Sequence, residues 1–315
     1  MRFVMNKKEL FRAFSYGFGR VIIGICDVSA KVVPLPLLYA FANLLGFLGF
    51  TFAGRHKRIA IESLSLAFGK EKSEKEIDQI CRACFNMMSS AAVEFFMFMR
   101  YPERIRKFVE IEGAENLNKA LAKGNGVVAV SAHFGSFPLL LSRLALEGYK
   151  VNSVLRRMRD EGLDNLFKKK RDRMGIGSVY TQPRKECVND SLRVLRNKEV
   201  LFVQLDQNFG TGGIFVDFFG QKAATATGPI VFSMRTGAAI VPMFIYRVKG
   251  VRHRIVIEPE IPWEEGFSKD ETTARMVQKL TTLIEHYIRK YPHEWGWIHK
   301  RWKARPKEEA VSSQA

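Results

Sequence analysis

Three places in this chain carry residue types that could do chemistry: a histidine closing an apolar run, a crowd of arginines and lysines, and an Asp-Gln-Asn triplet closing a second apolar run. His133 stands in Val127-Val128-Ala129-Val130-Ser131-Ala132-His133-Phe134-Gly135-Ser136-Phe137-Pro138. An imidazole just past the carboxyl end of a strand lies where open α/β sheets place their reactive groups, and it works as a general base near neutral pH. The plainer reading of the segment alone is a loop histidine bonded to its neighbours. Ser136 has the type and place to cap the next helix, with Pro138 in the first turn, where a missing N–H costs little. Amides exposed there would suit an anion or an oxyanion.

Arg156, Arg157, Arg159, Lys168, Lys169, Lys170, Arg171 and Arg173 face only four acids within residues 156–173. Such a run is ordinarily a solvated helix face, yet its position after a second strand brings it beside the histidine, where an arginine can grip a phosphate with two parallel bonds. The third place, Leu205-Asp206-Gln207-Asn208-Phe209-Gly210, sets three polar groups at another strand end. It continues into a Gly-rich loop and Phe215-Val216-Asp217-Phe218-Phe219-Gly220, then Ala223-Ala224-Thr225-Ala226-Thr227-Gly228. By residue chemistry those aromatics fit a core better than a groove for an aliphatic chain. A fourth block, residues 291–306, interleaves Trp295, Trp297 and Trp302 with His299, Lys300, Arg301, Lys303 and Arg305. Aromatics among bases suit RNA or lipid headgroups alike.

The elements that must hold these groups alternate. Strands are expected at residues 108–112, 126–131, 150–155, 178–180, 200–205, 239–246 and 254–259. Helices are expected at 117–122, 138–147, 163–174, 188–195 and 271–290. Strand–helix alternation predicts a mostly parallel central sheet flanked by helices on both faces, an α/β fold. Upstream, residues 58–68 form an amphipathic helix ending at Gly69. Ser73, with Glu76 three residues on, then starts a second helix through Phe96.

Net charge is +18, from 50 Lys+Arg against 32 Asp+Glu, which calls for an anionic partner: nucleic acid, an anionic membrane face or a phosphorylated substrate. Phe is the dominant aromatic, at 25 residues against 8 Tyr, which suits a deep apolar core, a lipid-facing surface or both. Residues 32–54 hold no charge and are long enough to cross a bilayer; two prolines, an Asn and three glycines weaken that reading, and attachment in the plane, with residues 21–26 as a second short apolar segment, or a buried core helix are the alternatives. Arg20, Lys31, Arg55, Lys57 and Arg58 would then lie among anionic headgroups. The expected layout is a membrane-associated helical segment at 1–57, a main domain at 58–306 and a disordered tail at 307–315. The cysteines are Cys26, Cys81, Cys84 and Cys187. Cys81 and Cys84 form a lone CxxC inside a helical pattern, so structural thiols in a reducing compartment are expected, with no metal and no cofactor.

Taken in order, these segments resemble the lipid A biosynthesis acyltransferases, the lauroyl/myristoyl transferases of the wider glycerolipid acyltransferase superfamily. The likeness runs from about Leu38 to Pro306. It rests on Arg58, Ser63-Leu64, Ala67-Phe68, Glu94, Ala132-His133-Phe134-Gly135, Arg156, Arg171-Asp172-Arg173-Met174-Gly175 and Asp206-Gln207-Asn208. The blocks from Phe215 to Gly228, Val241-Pro242 and Tyr291 to Pro306 complete it. The resemblance implies transfer of an acyl chain from acyl carrier protein to a hydroxyl of a glucosamine-based lipid at the cytoplasmic face of a bacterial inner membrane. It makes His133 the general base, with Arg171 on phosphate or oxyanion and Asp206 orienting acceptor or donor. Arg156, Ser136, Gln207, Asn208, Phe219, Gly220 and Thr225 become candidates for holding substrate. The implied partners are acyl carrier protein, a lipid acceptor and an anionic membrane surface.

One departure stands out. The family pairs its histidine with an acid in a His-x4-acid motif, and that place here holds Pro138. Either another carboxylate substitutes, with Glu94 and Asp206 as candidates, or His133 works alone at a lower rate, or the protein binds lipid without turnover. A nucleic-acid role would rest on charge and the aromatic-basic block alone, and the charge-free N-terminal segment argues against it.

Overall fold

The computed structural model describes residues 33–306. The segment at 21–26, Arg20, Lys31, Cys26 and the tail after 306 lie outside the described residues.

Seven strands build the main sheet: β1 (Val109–Glu112), β2 (Val127–Ser131), β3 (Val151–Leu155), β4 (Ile176–Tyr180), β5 (Val200–Gln204), β8 (Ala239–Lys249) and β9 (Arg252–Ile257). Their order is β1-β9-β8-β2-β5-β3-β4. All neighbours run parallel except β8 and β9, so the mostly parallel sheet is as expected. Every residue of β2 is buried. Side chains alternate across a strand, so Val127 and Ala129 pack with Val200, Phe202 and Val241 on one face, and Val128 and Val130 with Leu201 and Ile240 on the other. That two-sided burial is why the strand reads as an unbroken apolar run.

The helices are α1 (Leu35–Phe52), α2 (Gly54–Phe68), α3 (Glu74–Arg100), α4 (Pro102–Phe108), α5 (Ala114–Ala122), α6 (Phe137–Leu146), α7 (Glu161–Arg173), α8 (Arg184–Arg196), α9 (Gly228–Thr236) and α10 (Lys269–Lys290). Ser73 starts α3 as expected: its hydroxyl accepts from the Glu76 amide at 3.4 Å, and the Glu76 carboxylate accepts from the Ser73 amide at 2.8 Å. Three elements lacked a periodic signal: α4, α9 and a separate antiparallel hairpin of β6 (Ile214–Phe218) and β7 (Gln221–Thr225).

The charge-free segment forms α1, and its prolines fall at its start, where helices tolerate them. Leu38, Ala42, Gly46 and Phe50, one every fourth residue, are its buried stripe. This stripe lies along α3. A Cβ on Gly46 would meet the Cα of Asn86 at 2.9 Å, so the two backbones touch only because residue 46 has no side chain. Outside this stripe Leu37, Phe41, Leu44, Phe47 and Phe52 stand apolar and exposed. The helix α2 runs unbroken through position 57, so no chain break marks the expected boundary at 57/58.

Candidate active site

Strand register explains how two distant residues meet. In the β2/β5 ladder Ser131 lies opposite Gln204, and the Leu205 amide donates to the Ser131 carbonyl at 2.9 Å. Two residues further, past both carboxyl ends, His133 comes opposite Asp206. The His133 Nδ1 lies 2.9 Å from Asp206 Oδ1, and the His133 amide donates to Asp206 Oδ2 at 2.9 Å. A third donor, the Trp295 indole N–H, reaches the same Oδ2 at 2.7 Å.

This arrangement fixes the protonation pattern. Burial would raise the Asp206 pKa, but the His133 charge and the three donated bonds hold it well below the usual carboxylate range. Burial would lower that of His133, and the Asp206 charge and hydrogen bond override it, leaving it raised. A carboxylate only accepts, so Nδ1 carries the proton and Nε2 is the free base. His133 is half-exposed, with its ring edge-on to Phe137 at 5.7 Å between centroids. It forms part of the wall of a cavity of about 1170 Å³.

The C-terminal block seats the histidine loop. Phe134 and Trp295 form an antiparallel bridge, the Gly135 amide donates to the Glu294 carbonyl at 2.7 Å, and the Gly296 amide to the His133 carbonyl at 3.2 Å. Gly135 has a φ of +56°, and a Cβ there would lie 2.0 Å from the Ile245 carbonyl oxygen. Trp295 and Arg301 are each 1% exposed and Trp297 is 0%, so these side chains are core and offer no stacking face to an outside partner, while Lys300, Lys303 and Arg305 stay exposed. Trp295 and His299, which also lines the cavity, are site residues that sequence reasoning missed. Burial holds His299 neutral-leaning by lowering its pKa, and its Nε2 accepts from the Asn208 amide at 3.2 Å.

The remaining candidates divide. Arg171, on α7, lines the cavity; its Nε donates to Ser178 Oγ at 3.0 Å, and its Nη2 is buried without a hydrogen-bond partner. Arg156 stands exposed at the cavity wall after β3, and Gln207 reaches His133 directly. Ser136 is at the cap position of α6 but makes no capping bond: Pro138 has no amide to offer, and the Leu139 amide is taken by the Ser136 carbonyl at 2.8 Å. The amide cradle expected there is correspondingly thinner. Four candidates lie away from the cavity wall and are engaged within the protein. Asn208 Oδ1 accepts from the Ala304 amide at 3.2 Å, and Thr225, fully buried, accepts from Arg301. Phe219 packs on Phe68 at 5.1 Å, and with Gly220 makes the two-residue turn of the β6–β7 hairpin. None of these four lines the cavity. Of the two carboxylates weighed as substitutes for the acid at Pro138, Asp206 is the one bonded to the His133 ring. Glu94 is fully buried elsewhere, bonded by Tyr39 and Arg247.

Cys84 is buried in α3 and donates to the Trp295 carbonyl at 3.1 Å, a structural thiol. Among the described residues no cluster of His, Cys, Asp and Glu has the make-up of a metal site.

The chain matches bacterial lipid A biosynthesis acyltransferases as a family over residues 4–304. It is 28% identical to the lipid A biosynthesis palmitoleoyltransferase of Escherichia coli over 282 residues, 87% of each chain. It is 27% identical to the lipid A biosynthesis lauroyltransferase of the same organism, over 87% of this chain and 88% of that one. A phosphatidylinositol mannoside acyltransferase of Mycobacterium tuberculosis is 25% identical over 62% of this chain and 60% of its own. A solved 1-acyl-sn-glycerophosphate acyltransferase from Thermotoga maritima superposes loosely, with a TM-score of 0.38 and 15% identity over 82% of this chain and 99% of that one. With nearly its whole length matched, the chain belongs to the bacterial lipid A biosynthesis acyltransferase family.

Proposed function

We propose that the protein moves a fatty acyl chain from an acyl thioester, acyl carrier protein foremost, to a hydroxyl of a lipid A precursor or a related glycolipid or lysolipid. The His133–Asp206 pair at the wall of a large apolar cavity carries this reading. Phe95, Phe96, Leu141, Phe167 and Ile176 give that cavity the surface an aliphatic chain needs. In the proposed reaction His133 Nε2 takes the proton as the acceptor oxygen attacks the thioester carbonyl carbon. The C–S bond breaks, and the imidazolium returns the proton to the leaving thiolate. Asp206 holds the Nδ1–H and stabilises the charged ring, as the aspartate of a hydrolase triad does. Arg171 offers its unpaired Nη2 to an anionic oxygen of the substrate, and Arg156 assists at the mouth.

The surroundings fit this reading. Exposed Arg157, Arg159, Lys168 and Lys169 lie near Arg156 and would steer a strongly acidic carrier. The bare apolar face of α1 fits attachment to an anionic inner membrane, with residues 1–57 as the membrane portion and 58–306 as the catalytic body. The site would face the cytoplasm, where the free thiols stay reduced.

The direct test is incubation of detergent-solubilised protein with acyl carrier protein thioester and a glucosamine-disaccharide lipid, read by mass spectrometry alongside lipids from cells with and without this chain. Addition of one acyl group, lost in His133→Ala, is expected, with donor KM rising with salt. No transfer to any hydroxyl lipid would sink the enzyme reading, and parent-like rates in His133→Ala would end the base role.

A further inference from the structure

We infer that Gln207 is a displaceable cap on the base: its side-chain amide occupies the nitrogen where the acceptor hydroxyl must land, and the substrate takes its place. This rests on the general-base reading above. The Gln207 amide nitrogen lies 3.1 Å from His133 Nε2. Because Asp206 forces the ring proton onto Nδ1, Nε2 presents a lone pair. Only the NH2 end of an amide can donate to a lone pair, so the chemistry of the pair fixes which end of Gln207 points inward.

The mount is rigid while the cap is loose. Arg301 Nη1 donates to the Gln207 carbonyl at 3.3 Å, the neighbouring Asn208 amide is held by His299, and Asn208 Oδ1 is held by the Ala304 amide. The Gln207 side chain itself is exposed and borders the cavity. One neutral hydrogen bond at a half-open position yields readily to an incoming hydroxyl that donates to the same lone pair. Until that arrives, the amide keeps water from using the base against a bound thioester.

The other ionisable groups facing His133 set what a titration reads. They are Asp206, bonded to the ring, and the other ionisable groups lining the same cavity, His299 on the C-terminal block, Arg171 and Asp164 on α7, Arg156 after β3 and His56 on α2, with Arg301 beside His299. Among the described residues only Asp206 and Gln207 hydrogen-bond the ring. Donation to Nε2 favours the neutral imidazole, so removing the cap raises the His133 pKa in the free enzyme.

The test compares Gln207→Ala and Gln207→Asn with the parent, the shorter amide being unable to span the gap. The acid limb of kcat/KM, which reports free enzyme, should move up by roughly half a pH unit to one, the size of one neutral hydrogen bond. The acid limb of kcat, which reports the complex from which the cap has already gone, should stay in place. Nitrogen NMR titration of His133 in the ligand-free protein should show the same rise, and it needs no turnover. An unmoved kcat/KM limb, or both limbs moving together, overturns the cap. If His133→Ala retains the parent rate, the base role alone fails, and the NMR titration still decides whether Gln207 holds Nε2.

Discussion

Among the described residues, Asp206 and Glu94 are buried carboxylates that each lie beside a histidine, and only Asp206 belongs to the proposed reactive site. Asp206 accepts from His133 and otherwise from neutral donors, the Trp295 indole and a backbone amide. Glu94 is bonded by the Arg247 guanidinium and the Tyr39 hydroxyl, with His253 Nε2 3.4 Å from its other oxygen. Arg247 takes up the Glu94 charge, so burial dominates at His253 and depresses its pKa, while at His133 the carboxylate dominates and the pKa is raised. His253 is also sealed at 1% exposure, whereas the His133 side chain is 35% exposed toward the cavity. What distinguishes the proposed reactive pair is that no cation is bonded to the carboxylate and that the second ring nitrogen meets only an exposed side-chain amide at the cavity wall.

Substitutions can break this comparison in order of size. His133→Ala should lower transfer by roughly 10²–10⁴-fold with the melting profile nearly intact. Asp206→Asn comes next, at roughly 10²-fold in the plateau rate. Its sign with pH is definite. Turnover needs neutral His133, so the rate climbs as pH rises through the raised pKa. Removing the carboxylate charge lowers that pKa, so the acid limb must move to lower pH even as the plateau falls. A limb that stays put would mean that another group titrates.

Glu94→Ala should do the opposite, leaving turnover within about threefold while costing about 3 kcal/mol in denaturant unfolding, because Arg247 is left largely buried and unpaired. Turnover loss equal to that of Asp206→Asn would erase the distinction. The smallest effect is expected from Pro138→Glu, which restores the acid of the family motif. Nδ1 is already engaged by Asp206, so the rate should not rise, and a charge in the cavity wall should weaken donor binding. A tenfold gain would show that Asp206 is an incomplete substitute.

Much of this was legible before any coordinates. Two-sided burial leaves long apolar runs and a capping Ser73 with Glu76 marks a helix start, so β2, β5 and α3 announced themselves. His133 and Asp206 stood out because polar groups at strand ends are positioned by the fold itself, and Arg171 through the family resemblance. That β2 and β5 are neighbours is a matter of topology, and no local pattern carries it, so the meeting of His133 with Asp206 stayed one option among several. The block around Trp295 misled for a different reason. Tryptophans among bases look the same whether they face a partner or one another, and only the bridge to Phe134 tells them apart. Thr225 and Phe219 became candidates through the family resemblance alone, while residue chemistry had put the aromatics of that segment in a core, where Phe219 lies.

The seating of the histidine loop by Trp295 also bears on biosynthesis. The indole that steadies Asp206 is 89 positions further along the chain. While the ribosome is still adding those residues, the emerging polypeptide has its imidazole and its carboxylate but not the strap that sets their geometry. The geometry of the pair is therefore complete only once Trp295 has been added and has folded back onto the histidine loop.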